Sequence, residues 1–340
     1  MKVLFIGGTG TISMAISREL LKQGNELYLV NRGNRKTNDF DKQPQYIIAD
    51  INTASGEEKV KDAIKDLSFD VVCDFIGFEK SQVERDYRLF KGKTRQFMYI
   101  SSASCYQKPL ENFIINESTP LCNPYWIYSQ NKIRCEDYLM SKYREEGFPI
   151  TIIRPSHTYD ERKVPLGVHG KKGSYQVLKR IKEGKPVIIH GDGTSLWTLT
   201  HNSDFAKGFI GLMGNIHAIG EAFQITSDES VTWNQIYNVI ADALGVKLNP
   251  VYVPSLLLAR ISDYDLMGSL IGDKANSVVF DCSKLKKAVP DFVATKRMDQ
   301  GIRETVEYVM SHEECQIEDE DFDQWCDKVA QKMKEIEKSF

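Results

Sequence analysis

The chain has 340 residues, of which 41% are hydrophobic, and its 44 basic and 47 acidic side chains leave a net charge of −3. This composition predicts a folded chain with a large apolar core and excludes a disordered one, which would be poorer in apolar residues and more one-sided in charge. The near-neutral balance gives no electrostatic footprint for nucleic acid, and no apolar run is long enough to span a bilayer, so we expect a cytoplasmic protein without nucleic-acid or membrane partners.

The first half of the chain alternates apolar runs with polar helical stretches. An apolar run from Val3 to Ile6 ends in Gly-Gly-Thr-Gly, and a helical pattern follows that stops at Gly24. Later apolar runs at 27–30, 46–49, 71–75, 97–100 and 150–153 alternate with helical stretches near 57–66, 80–91 and 124–146. This alternation predicts an α/β fold, a doubly wound parallel sheet of the Rossmann type whose strands are covered on both faces.

A glycine-rich turn, Gly7-Gly8-Thr9-Gly10-Thr11-Ile12-Ser13, lies between the first predicted strand and the first predicted helix. Glycine lets the backbone approach a pyrophosphate, and the helix N-terminus offers free N–H groups and a positive dipole to it. Because the turn has the required strand, turn and helix context, we favour dinucleotide binding over a plain tight turn. Ser13 occupies the third small position, where glycine is usual, and is small enough for close packing.

The second predicted strand ends in Asn31-Arg32, without the acidic residue that commonly hydrogen-bonds the adenosine ribose of NAD. The missing carboxylate removes repulsion toward a 2′-phosphate, which Arg32, with Arg35 or Lys36 nearby, could clamp. We therefore expect NADP or NAD as cofactor, with NADP preferred. A solvated basic loop is the alternative for Arg35 and Lys36 taken singly.

Beyond residue 155 the sequence becomes rich in glycine and loops, which indicates a second unit. We predict a dinucleotide-binding Rossmann domain at 1–159, to which 200–228 returns, and a smaller interleaved C-terminal substrate domain with a terminal helix at 160–340. The terminal helix carries an apolar stripe that we expect to dock on the same chain. A subunit contact is the alternative for this stripe, whose members are Trp325, Val329, Met333 and Ile336.

A tyrosine and a lysine four residues apart, Tyr128 and Lys132, are predicted to lie on one face of a helix. A neighbouring positive charge lowers the pKa of a phenol and favours proton transfer. The spacing occurs five times in the chain. Only Tyr128 opens a long predicted helix, just after Asn123-Pro124 as N-cap and first-turn pair, and it follows a strand that ends in Ser101-Ser102.

With these motifs in this order, the sequence resembles the extended short-chain dehydrogenase/reductase superfamily, which contains NAD-dependent epimerases and dehydratases. The resemblance implies that Tyr128 is the general acid or base, that Lys132 holds the nicotinamide ribose, and that Ser102 hydrogen-bonds the substrate oxygen. Ser101 and Ser104 are alternatives to Ser102. The cofactor-binding residues that the resemblance implies are Gly7, Thr9, Gly10, Thr11, Ile12, Asn31, Arg32, Asp50, Ile51, Phe75, Gly77, Lys132 and Pro155.

Several positions depart from the patterns of this superfamily. Its sugar 4,6-dehydratases carry an Asp-Glu pair where this chain has Ala103 and Ser104, so dehydration by that route is not expected. Its nucleotide-sugar epimerases place an arginine on the substrate diphosphate where this chain has Trp197, which cannot neutralise a diphosphate. His157 stands where such enzymes often have Asn. Basic residues that could compensate, or that could simply be solvated, are Arg162, Lys163, Lys171 and Lys172.

Three functions are compatible with the sequence. The first is an NAD(P)-dependent oxidoreductase of epimerase or reductase type, which exchanges hydride between nicotinamide and a sugar-like or other small hydroxyl or carbonyl substrate. The second is a cofactor-binding protein associated with RNA, because Asn31-Arg32-Gly33 resembles a subgroup related to chloroplast stem-loop-binding proteins; the acidic net charge argues against it. The third is a regulator without turnover. A homodimer is one assembly that the sequence allows, and no metal is expected because no metal-ligand spacing occurs.

Overall fold

The computed structural model describes residues 1–34, 40 and 42–340. The strands in these ranges are β1 (Lys2–Ile6), β2 (Glu26–Asn31), β3 (Gln45–Ile48), β4 (Phe69–Asp74), β5 (Thr94–Ile100), β6 (Ile114–Ile115), β7 (Ile150–Pro155), β8 (His157–Tyr159), β9 (Val187–His190), β10 (Leu196–Trp197), β11 (Leu199–His201), β12 (Glu221–Ile225), β13 (Val231–Thr232), β14 (Pro250–Val253) and β15 (Val279–Phe280). The α-helices are α1 (Thr11–Lys22), α2 (Ala54–Ala63), α3 (Lys80–Phe90), α4 (Ile127–Glu146), α5 (Tyr175–Lys182), α6 (Asn202–Leu212), α7 (Trp233–Ala243), α8 (Ser255–Ile261), α9 (Ser283–Ala288), α10 (Met298–Ser311) and α11 (Glu320–Glu337). A π-helical segment, Met267–Lys274, follows α8. Among the described residues, no helix has both the length and the apolar character needed to cross a bilayer.

Seven strands form one parallel sheet in the order β3-β2-β1-β4-β5-β7-β12. The strand order reverses between β1 and β4, which opens a crevice beyond their carboxyl ends. Alternate side chains of β1 enter different cores: Val3 and Phe5 pack with residues of α1 and α6, whereas Leu4 and Ile6 pack with residues of α2, α3 and α4. Burial on both faces explains the continuous apolar runs, and the predicted doubly wound sheet is confirmed.

The chain leaves the sheet after β7 and returns to it with α6 and β12. Helix α6 packs against α1, and β12 pairs in parallel with β7. The other C-terminal elements surround a separate core that contains Trp233, Tyr237 and Ile302 and adjoins the parallel pair of β9 and β14. The domain boundary between residues 159 and 160 stays a prediction.

The terminal helix α11 docks on this C-terminal core. Phe322 and Val329 are buried, and Arg180 of α5 donates a hydrogen bond of 2.6 Å from Nη1 to Asp323 Oδ1. Ile336 is 48% exposed. The first part of the predicted apolar stripe therefore packs on the chain itself, while its last residue faces outward.

The long helix α4 begins later than predicted. Its first residue is Ile127 and its N-cap is Trp126. The side chain of Asn123 lies outside the helix and donates hydrogen bonds to the carbonyl oxygens of Ser104 (2.8 Å) and Gly272 (2.7 Å). The prediction that Asn123 caps this helix was wrong, because its amide joins two distant segments instead.

Candidate active site

The turn between β1 and α1 requires glycine for two reasons: its backbone has positive φ angles, and a neighbouring side chain leaves no room for a Cβ atom. Gly7 and Gly8 have φ angles of +105° and +97°, a region that other residues adopt only with strain. A Cβ atom on Gly8 would lie 2.5 Å from Leu29 Cδ2. Ser13, 2% exposed, accepts a hydrogen bond of 2.9 Å on its Oγ from the N–H of Gly10. Ser13 thus occupies the position of the third glycine, and its hydroxyl stabilises the turn through this hydrogen bond.

The large cleft, about 680 Å³ in volume, extends from this turn to the start of α4. Gly77, which was predicted to bind cofactor, is not among the residues that line the cleft. Its carbonyl oxygen accepts a 2.7 Å hydrogen bond from Lys132 Nζ, and a Cβ atom on it would collide with Asp74. The predicted cofactor-binding residues that do line the cleft are Gly7, Thr9, Gly10, Thr11, Ile12, Asn31, Arg32, Asp50, Ile51, Phe75, Lys132 and Pro155.

Some lining residues were missed by the sequence reasoning. Phe78 and Gln82 follow β4, and Ser156 and Thr158 follow β7. Ligands of open α/β sheets bind beyond the carboxyl ends of the strands. The position of these four residues just after a strand of the sheet is therefore the sequence signal that could have identified them.

The chemistry of the cleft fits a nicotinamide dinucleotide. The glycine backbone and the first N–H groups of α1, which have no partner within the helix, suit a pyrophosphate. Asp50, whose Oδ1 accepts a hydrogen bond from the Asn52 N–H (3.1 Å), and the exposed Arg32 lie at the other end of the cleft. Arg35 and Lys36, the other predicted partners of a 2′-phosphate, lie outside the described residues.

A smaller cavity of about 230 Å³, the inner pocket, adjoins the large cleft. Ser102, Tyr128 and His157 line both spaces. The structure therefore brings the predicted serine and tyrosine together at the junction of the two. A reacting atom at this junction could contact both hydroxyls.

Lys132 lines the large cleft next to this junction and is deeply buried. It is 1% exposed, and its Nζ donates hydrogen bonds of 2.7 Å to the carbonyl oxygens of Gly77 and Ile100. The same nitrogen lies 5.9 Å from the ring centroid of Tyr128. Burial lowers the pKa of Lys132 and raises the pKa of Tyr128 to about 12, although the Ser102 hydroxyl acts against the rise. The net direction for Tyr128 is opposite to that expected from Lys132 alone, because burial dominates.

A row of serine hydroxyls supports Ser102. Ser129 Oγ donates a hydrogen bond to Ser104 Oγ (2.7 Å), and Ser104 Oγ lies 2.8 Å from Ser102 Oγ, which also accepts a bond from the Ser104 N–H (3.1 Å). With the hydrogens running from Ser129 to Ser104 to Ser102, the Ser102 hydrogen is free to point into the cleft. Ser101 is 1% exposed, and its Oγ lies 3.7 Å from Cys105 Sγ. Ser102 is thus the serine best placed to touch a ligand.

Trp197 and His157 form one wall of the inner pocket. Trp197 Nε1 donates a hydrogen bond of 3.1 Å to His157 Nδ1. Burial lowers the pKa of His157 to about 3, so the ring is neutral near pH 7. Because Nδ1 accepts, the ring hydrogen is on Nε2. Trp197 therefore adds an aromatic surface to the pocket and fixes the tautomer of His157. It stands at the position where nucleotide-sugar epimerases have an arginine.

The basic residues considered as compensation are dispersed. Arg162 Nε donates a hydrogen bond of 2.9 Å to Asp160 Oδ2. Lys163 and Lys171 line a third cavity of about 280 Å³, which also reaches His157. In the described part of the chain, no three His, Cys, Asp or Glu side chains gather as metal ligands.

The reversal of strand order, the glycine turn at that point, and the buried lysine behind a tyrosine at the cleft define the class: a nucleotide-binding α/β protein of the short-chain dehydrogenase/reductase type. The model of the NAD dependent epimerase/dehydratase family matches residues 3–226. The chain belongs to this family, and the predicted resemblance is confirmed.

Known proteins similar to the chain differ in what their names describe. Chloroplast stem-loop binding protein of 41 kDa b from Arabidopsis thaliana is 28% identical over 72% of this chain, a match that spans only 63% of that protein's length. 2′-Dehydrokanamycin reductase from Streptomyces kanamyceticus is 21% identical over 86% of this chain and 80% of that protein. UDP-glucuronic acid 4-epimerase from Bacillus cereus, in complex with UDP-glucuronic acid and NAD, superimposes with a TM-score of 0.71 at 20% identity, over 92% of this chain and 99% of that one. The last comparison shows the shared fold.

Proposed function

We propose that the protein is an NAD(P)-dependent oxidoreductase of epimerase or reductase type, acting on a sugar-like or other small hydroxyl or carbonyl substrate. The observation that carries the proposal is the position of Ser102 and Tyr128 at the junction of the large cleft and the inner pocket. A nicotinamide dinucleotide in the cleft would supply the hydride donor or acceptor. The junction would hold the substrate carbon next to it, and such proximity is a large part of catalysis.

Each residue has a separate task in this proposal. In reduction, the Tyr128 phenol gives its proton to the substrate oxygen as hydride reaches the carbon; in oxidation, the deprotonated phenol takes the hydroxyl proton. Ser102 donates a hydrogen bond to the same oxygen. Lys132 uses two of its three N–H donors on backbone carbonyls, and the third remains for a ribose hydroxyl. Because burial raises the pKa of Tyr128 to about 12, the site presents the proton donor near neutral pH.

We further propose that the cleft prefers NADP to NAD. This preference is supported by the exposed Arg32 at the edge of the cleft and by the absence of a carboxylate at that strand end. Arg32→Ala should weaken NADPH binding more than NADH binding, because a 2′-phosphate is present only in NADPH. Equal losses for the two coenzymes in fluorescence titrations would remove the NADP preference.

The experiment that tests the proposal compares two tyrosines on the same helix. Tyr128→Phe should lower turnover about 10²- to 10⁴-fold, measured as NADH or NADPH consumption with a panel of aldehydes, ketones and keto acids, and should leave coenzyme affinity unchanged. Tyr138→Phe is the matched control, because Tyr138 also precedes a lysine by four residues but packs against Tyr87 instead. Undiminished turnover in Tyr128→Phe would contradict the proposal.

RNA association without turnover is a second candidate, supported by the likeness to the Arabidopsis stem-loop binding protein. The net charge of −3 works against it, since contacts to backbone phosphates dominate such affinity. Filter retention of a stem-loop RNA at rising salt would separate the candidates. Retention that falls with salt, together with no coenzyme uptake, would favour the RNA reading. A regulator without turnover, a homodimer and a cytoplasmic location stay predictions.

A further inference from the structure

The inner pocket is lined by two lysines whose amines have no hydrogen-bond or ion-pair partner among the described residues, although the Asp273 carboxylate acts on both of them electrostatically. Lys108 is 3% exposed, Lys274 is half-buried, and both line the pocket. Within the described part of the chain, neither Nζ donates a hydrogen bond or forms an ion pair. An ammonium without a hydrogen-bond or ion-pair partner is costly at a buried position such as that of Lys108. Two ammonium groups that face one cavity indicate that a ligand completes the site.

The charges of the pocket specify what kind of ligand would complete it. Asp273 also lines the pocket, and its carboxylate likewise lacks a hydrogen-bond or ion-pair partner among the described residues. Burial lowers the pKa of Lys108 and Lys274 and raises the pKa of Asp273. With His157 neutral, the ionisable side chains that line the pocket are two lysines and one carboxyl group, an excess of one basic group, while Asp265 acts on Lys274 from outside the lining. A ligand that carries one negative charge would balance this excess.

The backbone that carries Lys274 is held in place by side chains from elsewhere. The carbonyl oxygen of Lys274 accepts a hydrogen bond from Trp233 Nε1 (3.1 Å), and that of Gly272 accepts one from Asn123 Nδ2 (2.7 Å). The segment Met267–Lys274 is π-helical, a conformation frequent at functional sites. Lys274 is therefore fixed at the pocket, and its backbone cannot shift toward another partner without breaking these bonds.

The size and walls of the pocket limit the ligand further. Its volume of about 230 Å³ lies below the range of about 300–1,000 Å³ typical of pockets for drug-sized ligands. Trp197 is uncharged, and its single N–H group already donates to His157, so its side chain cannot bind a diphosphate. The pocket suits a compact substrate without a nucleotide.

We propose that the inner pocket binds a small substrate with a single carboxylate, such as a sugar acid or a hydroxy or keto acid. The carboxylate lies between Lys108 and Lys274, and the reacting hydroxyl or carbonyl faces Ser102 and Tyr128. Asp273 accepts a hydrogen bond from a hydroxyl of the same ligand. The orientation of the reacting end rests on the proposed oxidoreductase function, whereas recognition of the carboxylate does not.

Isothermal titration with paired probes tests the proposal. The pairs are glucuronate with glucose, glycerate with glycerol, and pyruvate with acetone, each titrated into the full-length protein alone and with NAD⁺ or NADP⁺ present. In at least one pair the acid should bind more than about tenfold tighter than its neutral partner, the equivalent of one charge-assisted contact. No preference for the acid in any pair would overturn the proposal. Tighter binding of glucose 6-phosphate than of glucuronate would overturn the single-carboxylate assignment.

Lysine variants locate the effect. Lys108→Met and Lys274→Met should each weaken binding of the preferred acid about 10- to 100-fold without changing the affinity for its neutral partner, whereas Lys247→Met, at an exposed position, should change neither. Removal of an unpaired buried amine should not lower the melting temperature of the ligand-free protein. A lower melting temperature with unchanged acid affinity would mean that the lysines are structural. Acid preference without coenzyme uptake would contradict the proposed function alone, and uptake without acid preference would contradict this inference alone.

Discussion

Replacing Arg154 by methionine should destabilise the protein by about 3–5 kcal/mol, the cost of leaving one member of a buried ion pair alone. Arg154 of β7 donates hydrogen bonds from Nε to Glu136 Oε1 (3.0 Å) and from Nη2 to Glu136 Oε2 (2.6 Å). The two side chains are 6% and 3% exposed, so water cannot replace the guanidinium. Glu136 lies one helical turn beyond Lys132, and the pair therefore ties the helix of Lys132 to the strand that ends at Pro155.

Urea unfolding followed by tryptophan fluorescence measures this effect. The double variant Arg154→Met/Glu136→Leu should recover most of the lost stability, because no buried charge remains unpaired. Arg303→Met, at an exposed position, should change the free energy of unfolding by less than about 0.5 kcal/mol. A double variant as unstable as Arg154→Met, or an Arg154→Met protein as stable as the parent, would refute the reasoning.

Two further predictions concern the glycine turn and acid stability. Gly8→Ala should abolish coenzyme binding in a titration, because a Cβ atom there meets Leu29. Gly24→Ala should leave binding intact, because Gly24 also has a positive φ but no atom lies within 4 Å of the added Cβ. Equal coenzyme binding by the two variants would contradict this role of the turn. Burial lowers the pKa of His157 to about 3 and of His190 to about 4, from 6.5. Below pH 6.5 the unfolded chain binds protons that the folded protein does not. The free energy of unfolding should therefore decrease as the pH is lowered, and at pH 5 it should be about 2 kcal/mol per histidine smaller than at pH 7. Urea unfolding at both pH values checks this, and His190→Gln should reduce the loss; a pH-independent free energy would contradict it.

Local sequence signals were sufficient for the sheet and the large cleft. The glycine turn is a short-range motif whose context, a strand before it and a helix after it, can be read from hydrophobic periodicity. The same holds for Ser102, at the end of a strand, and for Tyr128, at the start of a long helix. Both lie where those signals placed them.

The features that sequence reasoning missed depend on long-range packing. Lys108 and Lys274 are far apart in the chain, yet both line the inner pocket; Asn123 bonds the carbonyl oxygen of Gly272, two residues before Lys274, across 149 positions. The same bond explains the misplaced helix start, since an asparagine before a helix is read locally as a cap. The raised pKa of Tyr128 results from burial, which depends on the whole fold and on no short motif.

The central claim is that the large cleft holds a pyridine nucleotide with its nicotinamide beside Ser102 and Tyr128. A crystal structure of the protein with NAD⁺ or NADP⁺ tests it most directly. We predict the pyrophosphate against the glycine turn and the first turn of α1, and the nicotinamide ring where the cleft meets the inner pocket. A coenzyme bound elsewhere, or one whose nicotinamide points away from the two hydroxyls, would contradict the claim.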